Sequence, residues 1–171
     1  MNSIILSSIV LLGFSVHSEG TLWSLADSNG SSSDAFDFDY YGERYQFCQA
    51  SFGSASTFYT GTKLVNEAEC RFPIKSSGSV NGSTTFKLLT LLGQEETSWK
   101  YGTRNEVPDN AIPCEDQDIE NCFLGVSVYS DGICREAPGK ISASHNMIYM
   151  QVKGKFYRCP FYFYLTTTMN P

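Results

Sequence analysis

Apolar residues in this chain recur at a spacing of two, or in short unbroken runs, and almost nowhere at the three-and-four spacing of an amphipathic helix. Runs rich in Tyr, Phe, Val, Ile and Thr are bounded by clusters of Gly, Ser, Asn and Pro, which is how strands and their turns are written in sequence. The pattern predicts strands over Tyr45–Phe52, Cys70–Ile74, Thr84–Leu92, Cys122–Tyr129, Met147–Val152 and Tyr157–Thr167. Asn81-Gly82 in "SVNGST" carries the dipeptide favoured in two-residue hairpins, so a turn is expected there. "SNGSSSD" (Ser28–Asp34) is expected to be a flexible loop. The fold class that follows is all-β, with antiparallel sheets.

The first apolar run, Ile4 to Phe14, is too short to cross a bilayer comfortably. It is followed by modest residues, with Val16 and Ser18 placed as a signal peptidase would require. Residues 1–18 are therefore expected to be a secretory leader, and the mature protein extracellular and without a membrane span. Six cysteines in an exported chain point to disulfides. None lies in a Cys-x-x-Cys pair, so no metal site and no redox cofactor is expected. The sequons at Asn29 and Asn81 are candidate glycosylation sites. A net charge of −6 disfavours nucleic acid and anionic membranes as partners.

Laid on itself at an offset of 77, the chain places Asp39 on Asp116, Glu43 on Glu120, Lys63 on Lys140, and the strand at Gln46–Phe52 on Phe123–Tyr129. An offset of 76 places Trp23 on Trp99 and Leu89 on Leu165. Two tandem units are expected, 19–94 and 95–171, folded as one compact domain. At the 77 offset Cys48 and Cys70 both lose their counterparts, to Gly125 and Met147, as expected of two cysteines that bond each other. Cys114, Cys122, Cys134 and Cys159 allow three connectivities, of which Cys134–Cys159 with Cys114–Cys122 is one.

The second unit reads Trp99, Val107-Pro108, Asn110-Ala111, Asp116, Asp118, Glu120, Phe123-Leu124-Gly125 and Pro138-Gly139-Lys140. The first has Trp23, Asp39, Gly42-Glu43, Phe47-Cys48-Gln49-Ala50 and Lys63. In that order these residues resemble the DM-nine repeat family, and the two units span nearly all of the chain after the leader. The chain departs from the family pattern where Gln49 and Val126 replace an Arg, and where "TGTK" replaces Pro-Gly-Lys.

The resemblance implies a β protein of two intertwined repeats, similar to mannose-binding lectins of invertebrate innate immunity. It also implies ligand contacts from the first acid of the acidic turn and the Lys of Pro-Gly-Lys, here Asp116 with Lys140 and Asp39 with Lys63. Mannose-type glycans are the implied partner. An ionised Asp accepts from two vicinal hydroxyls while an ammonium donates to their lone pairs, which suits a hexose. Because single sugar sites are weak, two sites per chain or a homodimer would add avidity.

The bland reading of the same residues is structural: the Asp caps its own turn, and the Lys is a loop charge or a minor ion pair. Trp23 and Trp99 read as core anchors, and Glu43 and Glu120 as turn supports. No catalysis is expected, since His145 is the single histidine left after the leader and has no nucleophile motif beside it. The second functional class is a secreted structural or interaction protein that keeps the scaffold and has lost sugar binding. An exposed Asp–Lys pair over a shallow pocket would favour the lectin; buried or separated groups would favour the interaction protein.

Overall fold

The computed structural model describes residues 21–27, 29–51, 57–91, 96–102 and 106–168. The expected leader, 1–18, lies outside them. The described chain is all-β. Seven strands come from the first half: β1 (Thr21–Leu25), β2 (Asp37–Tyr40), β3 (Glu43–Ser51), β4 (Phe58–Leu64), β5 (Cys70–Ile74), β6 (Ser79–Ser83) and β7 (Lys87–Leu91). Seven come from the second: β8 (Glu96–Tyr101), β9 (Pro113–Cys114), β10 (Cys122–Ser127), β11 (Ala137–Ser142), β12 (Met147–Val152), β13 (Lys155–Cys159) and β14 (Tyr162–Thr168). Each half forms its own antiparallel sheet, in the order β1-β7-β3-β4-β5-β6 with β2 beside β3, and β13-β12-β11-β10-β14-β8 with β9 beside β10.

Several residues occupy equivalent places in the two sheets. Trp23 stands opposite Leu89, and Trp99 opposite Leu165. Ala35 bridges Thr90 as Ala111 bridges Thr166. Phe36 N–H donates to Leu89 O at 2.7 Å, and Ile112 N–H to Leu165 O at 2.9 Å. All of these pairs are 76 residues apart (23 to 99, 35 to 111, 36 to 112, 89 to 165). The side chains converge on a shared core in which Phe47, Leu89, Ile112, Leu124 and Leu165 are buried, with both tryptophans packed against it. Each sheet also has a core of its own, around Cys48, Cys70, Phe72 and Leu88 in the first half and Ile141, Ile148, Met150 and Tyr164 in the second. The halves meet through loops and side chains, and among the described residues each strand pairs only within its own half.

The structure joins Cys48 to Cys70, Cys114 to Cys122 and Cys134 to Cys159. Cys48 and Cys70 clamp β3 to β5 across β4, and Cys134–Cys159 holds the 128–136 loop to the end of β13. A bridge closing a loop of this length contributes about 3 kcal/mol by restricting the unfolded chain.

Three expectations are corrected. Asn81-Gly82 is not a turn but lies inside β6, opposite Phe72 and Arg71. The reversal occurs at Lys75–Gly78, where Gly78 takes a left-handed φ of 63° and its N–H donates to Ile74 O at 2.9 Å. The Tyr157–Thr167 run is two strands, because Pro160 has no N–H to give to a ladder. "SNGSSSD" is held rather than loose: the Asp27 carboxylate accepts the N–H groups of Asn29 (2.8 Å) and Ser31 (2.9 Å) in an Asx turn. Ser28 itself lies outside the described residues. Of the two sequon asparagines, Asn29 is exposed in that turn, and Asn81 is half-buried in β6.

β4 and β11 were not expected, because "FYTGTKL" and "APGKIS" read as turns. They are the central strands of their sheets, and their glycines explain the composition. A Cβ at Gly61 would fall 2.2 Å from Arg71 O, and one at Gly139 2.3 Å from Tyr149 O. The neighbouring strand passes too close for any side chain. Gly139→Ala is therefore expected to destabilise the fold by about 1–3 kcal/mol, as overpacking against backbone does. Urea unfolding would measure it; Gly132→Ala, where a Cβ meets nothing within 4 Å, is the control.

Candidate functional site

The acidic turn of the second half is built from the backbone outward. The Asp116 carboxylate accepts the Asp118 N–H at 3.0 Å through Oδ1, closing an Asx turn. Its other oxygen, Oδ2, accepts the N–H of Thr60 at 2.9 Å, a residue of β4 in the opposite half. Around it Thr60 Oγ1 donates to Glu115 O at 2.8 Å and Gln117 N–H to Phe58 O at 2.9 Å. The segment 115–117 thus docks on the N-terminal end of β4.

Lys140, on β11, completes the arrangement by donating from Nζ to Asp116 Oδ2. Both side chains are fully buried, although the Asp116 backbone is partly exposed. The ammonium also lies 5.7 Å from the centre of the Tyr59 ring. Burial pushes the Asp116 carboxyl above its usual range, against the pull of Lys140 and its amide donors. Burial likewise pushes the Lys140 ammonium down, against the pull of Asp116. The pair therefore costs desolvation on both sides, and its oxygens are spent on this chain's own donors.

Asp39 and Lys63 are not brought together. Asp39 is exposed, opposite Arg44 in the β2–β3 ladder, while it is Asp37 that pairs with Arg44. Between them the chain reverses through Tyr41-Gly42, both in the left-handed region with φ of 49° and 78°. Lys63 is fully buried and donates only to neutral oxygens, Gln46 Oε1 at 3.0 Å and Val65 O at 3.1 Å. Burial lowers its pKa, with Glu67 opposing the shift.

The separation has a register cause. Gly61 and Gly139 are the equivalent residues, facing Cys48 and Gly125 and packed on Arg71 and Tyr149 respectively. Lys140 therefore corresponds to Thr62, and Lys63 stands one residue further along, at the place of Ile141. A one-residue offset in a strand reverses the face. Lys140 looks toward the opposite half, and Lys63 toward its own sheet's core.

In place of Asp116, the first half uses Tyr40, 76 residues earlier, whose phenol donates to Ser127 O of the second sheet at 2.7 Å. Glu43 supports its turn by accepting the Tyr45 hydroxyl at 2.6 Å. His145 sits at a second junction between the halves. Its Nδ1 lies 2.9 Å from Ser142 Oγ and 3.0 Å from Ser144 Oγ, and its Nε2 lies 3.2 Å from Lys75 Nζ. This cluster has no motif in the sequence, because β5 and β11 bring its parts together from 70 residues apart. No group of three or more potential metal ligands occurs among the described residues.

Two surface pockets flank the start of β3. One, about 410 Å³, is lined by Gly42, Glu43, Arg44, Leu64, Val65 and Asn66. The other, about 370 Å³, takes Glu43, Tyr45, Glu67 and Arg71 from one half and Gln151 and Lys153 from the other. Neither is lined by Asp39, Lys63, Asp116 or Lys140.

Lys140→Met strands a buried carboxylate and is expected to cost about 3–5 kcal/mol in chemical denaturation. Asp116→Asn/Lys140→Met, which keeps a carbonyl acceptor and removes both charges, is expected to recover a large part of that loss. Lys63 has a folded pKa below its unfolded value, so its burial penalty is full at low pH and is relieved as pH rises through the folded pKa. The stability of wild type relative to Lys63→Met should therefore rise from neutral to alkaline pH. A flat difference would contradict the burial of a charged amine. No protein-family model and no curated protein matches this chain in sequence, so its chemistry has to be read from its own residues.

Proposed function

We propose that this chain is an exported, non-catalytic interaction module, whose two-unit scaffold has turned the acidic turn and its lysine inward. The observation that carries this reading is the Asp116–Lys140 pair: fully buried, and satisfied by Thr60, Asp118 and each other. A sugar hydroxyl would have to displace those bonds before it met either group. Three closed disulfides support an extracellular setting.

Exposed aromatic residues elsewhere support docking of a partner. Tyr41, Tyr129 and Phe161 are 64%, 47% and 52% exposed. Tyr129 and Phe161 lie 5.3 Å apart ring to ring, and Tyr41 lies 4.8 Å from Tyr40, whose hydroxyl ties it to the end of β10. Exposed aromatic rings held by neighbours lose little entropy on contact, and such residues are enriched in the cores of protein interfaces. The His145 cluster argues against hydrolysis. In a Ser-His-Asp arrangement the second nitrogen of the histidine donates to an orienting acceptor, and here that nitrogen faces the Lys75 amine.

The mannose-lectin reading rests on the resemblance of the acidic turn and Pro-Gly-Lys, and needs the buried pair to open. Passage of the oxidised protein over immobilised mannose separates the two. Flow-through with an intact fold is expected; retention reversed by free mannose and lost in Asp116→Asn/Lys140→Met would replace the interaction reading with the lectin. Binding to a protein partner should then fall at least tenfold in Tyr129→Ser/Phe161→Ser, about 1.4 kcal/mol or more.

A further inference from the structure

The two halves meet along a seam whose ends are related by the internal repeat. In register, Lys75 corresponds to Lys153, Glu67 to His145 and Arg71 to Tyr149, each 78 residues apart (75 to 153, 67 to 145, 71 to 149). Glu43 and Tyr45 correspond to Glu120 and Cys122 at an offset of 77. One end is filled. Ile119, Cys122 and Tyr149 pack there as an apolar cluster. Lys75 reaches His145 at 3.2 Å, and Ser76 Oγ donates to Asp118 Oδ2 at 3.2 Å across the seam.

The other end is open, as the pocket of about 370 Å³ between Glu67 and Lys153. That volume lies within the ordinary range for small-ligand sites. Its walls mix polar and apolar groups; among the polar ones Glu43 accepts the Tyr45 hydroxyl, and Arg71 donates to Glu69 at 2.9 Å. The carboxylate of Glu67 and the ammonium of Lys153 come from opposite halves; Glu67 lies in the field of Lys63 and Arg71, and Lys153 makes no side-chain hydrogen bond or ion pair among the described residues. Leu64 and Val152 supply an apolar floor between them.

We infer that this open end of the seam binds a small zwitterion, of the size and charge pattern of a free α-amino acid. Glu67 receives its ammonium, Lys153 receives its carboxylate, and its side chain rests on Leu64 and Val152. A zwitterion engages both Glu67 and Lys153, whereas a ligand with one charge engages only one of them, which sets the selectivity. The inference does not depend on what the aromatic surface binds.

The test is an NMR titration of the full oxidised protein with glycine, L-alanine and L-leucine, beside acetate and methylamine as single-charge probes. Saturable shifts at Leu64, Glu67, Val152 and Lys153 are expected with the amino acids, at a Kd on the order of 1 mM, with acetate and methylamine at least tenfold weaker. Lys153→Met and Glu67→Gln alter exposed or half-buried side chains, and each should weaken binding about tenfold or more. His145→Ala at the filled end should leave it unchanged. Absence of saturable shifts with every amino acid would overturn the assignment. So would acetate or methylamine binding as tightly as alanine, or binding indifferent to both pocket variants.

Discussion

The assembly turns on one buried charge pair of the second half, set at the boundary between two sheets and tied to the first half by the Thr60 N–H. Asp116 belongs to a turn of the second half, yet one of its oxygens caps the N–H of Thr60 in the first, and Lys140 neutralises it from behind. Taking these groups out of water is costly, and the return in net stability is small or negative beside an apolar equivalent. What the pair contributes is position. Two sheets meeting through Phe47, Leu89, Leu124 and Leu165 alone could slide, since hydrophobic contact has no direction. A carboxylate that must meet both an amide of β4 and an ammonium of β11 allows one arrangement.

The same boundary is treated differently at places the repeat makes equivalent. Where Asp116 holds one junction by accepting an amide, Tyr40 holds the other by donating a phenol to Ser127 O. The end near His145 is packed with the Cys114–Cys122 bridge and Tyr149, while its counterpart has Tyr45 and Arg71 and stays open. Near-symmetric folding requires only that the shared core and the strand order be kept. The edges are then free to diverge, and any function should be sought where they have done so.

The all-β class, the strands β3, β5, β7, β10, β12, β13 and β14 and the two-unit organisation were legible because side-chain alternation and aromatic content are local properties of the chain. Cys48 and Cys70 were legible as a pair because both vanish together in the second unit. The central strands β4 and β11 were not, because Gly61 and Gly139 are demanded by a neighbouring backbone rather than by their own conformation. Asn81-Gly82 misled because the same dipeptide can sit inside a strand, where Gly82 faces Arg71 and lies against the Glu69 side chain.

The candidate site divides along that line. Residue types and their order show which groups are chemically able to act together, namely an acid beside each reversal and a lysine soon after each glycine. Whether they meet depends on how the strands pair and the halves pack. Counting residues aligned Lys63 with Lys140, but strands are matched by ladder register, and one residue of offset turns a side chain to the other face. Partners are likewise a property of the assembled halves: the buried Asp116 carboxylate meets the Thr60 N–H of β4 only once the two sheets are together.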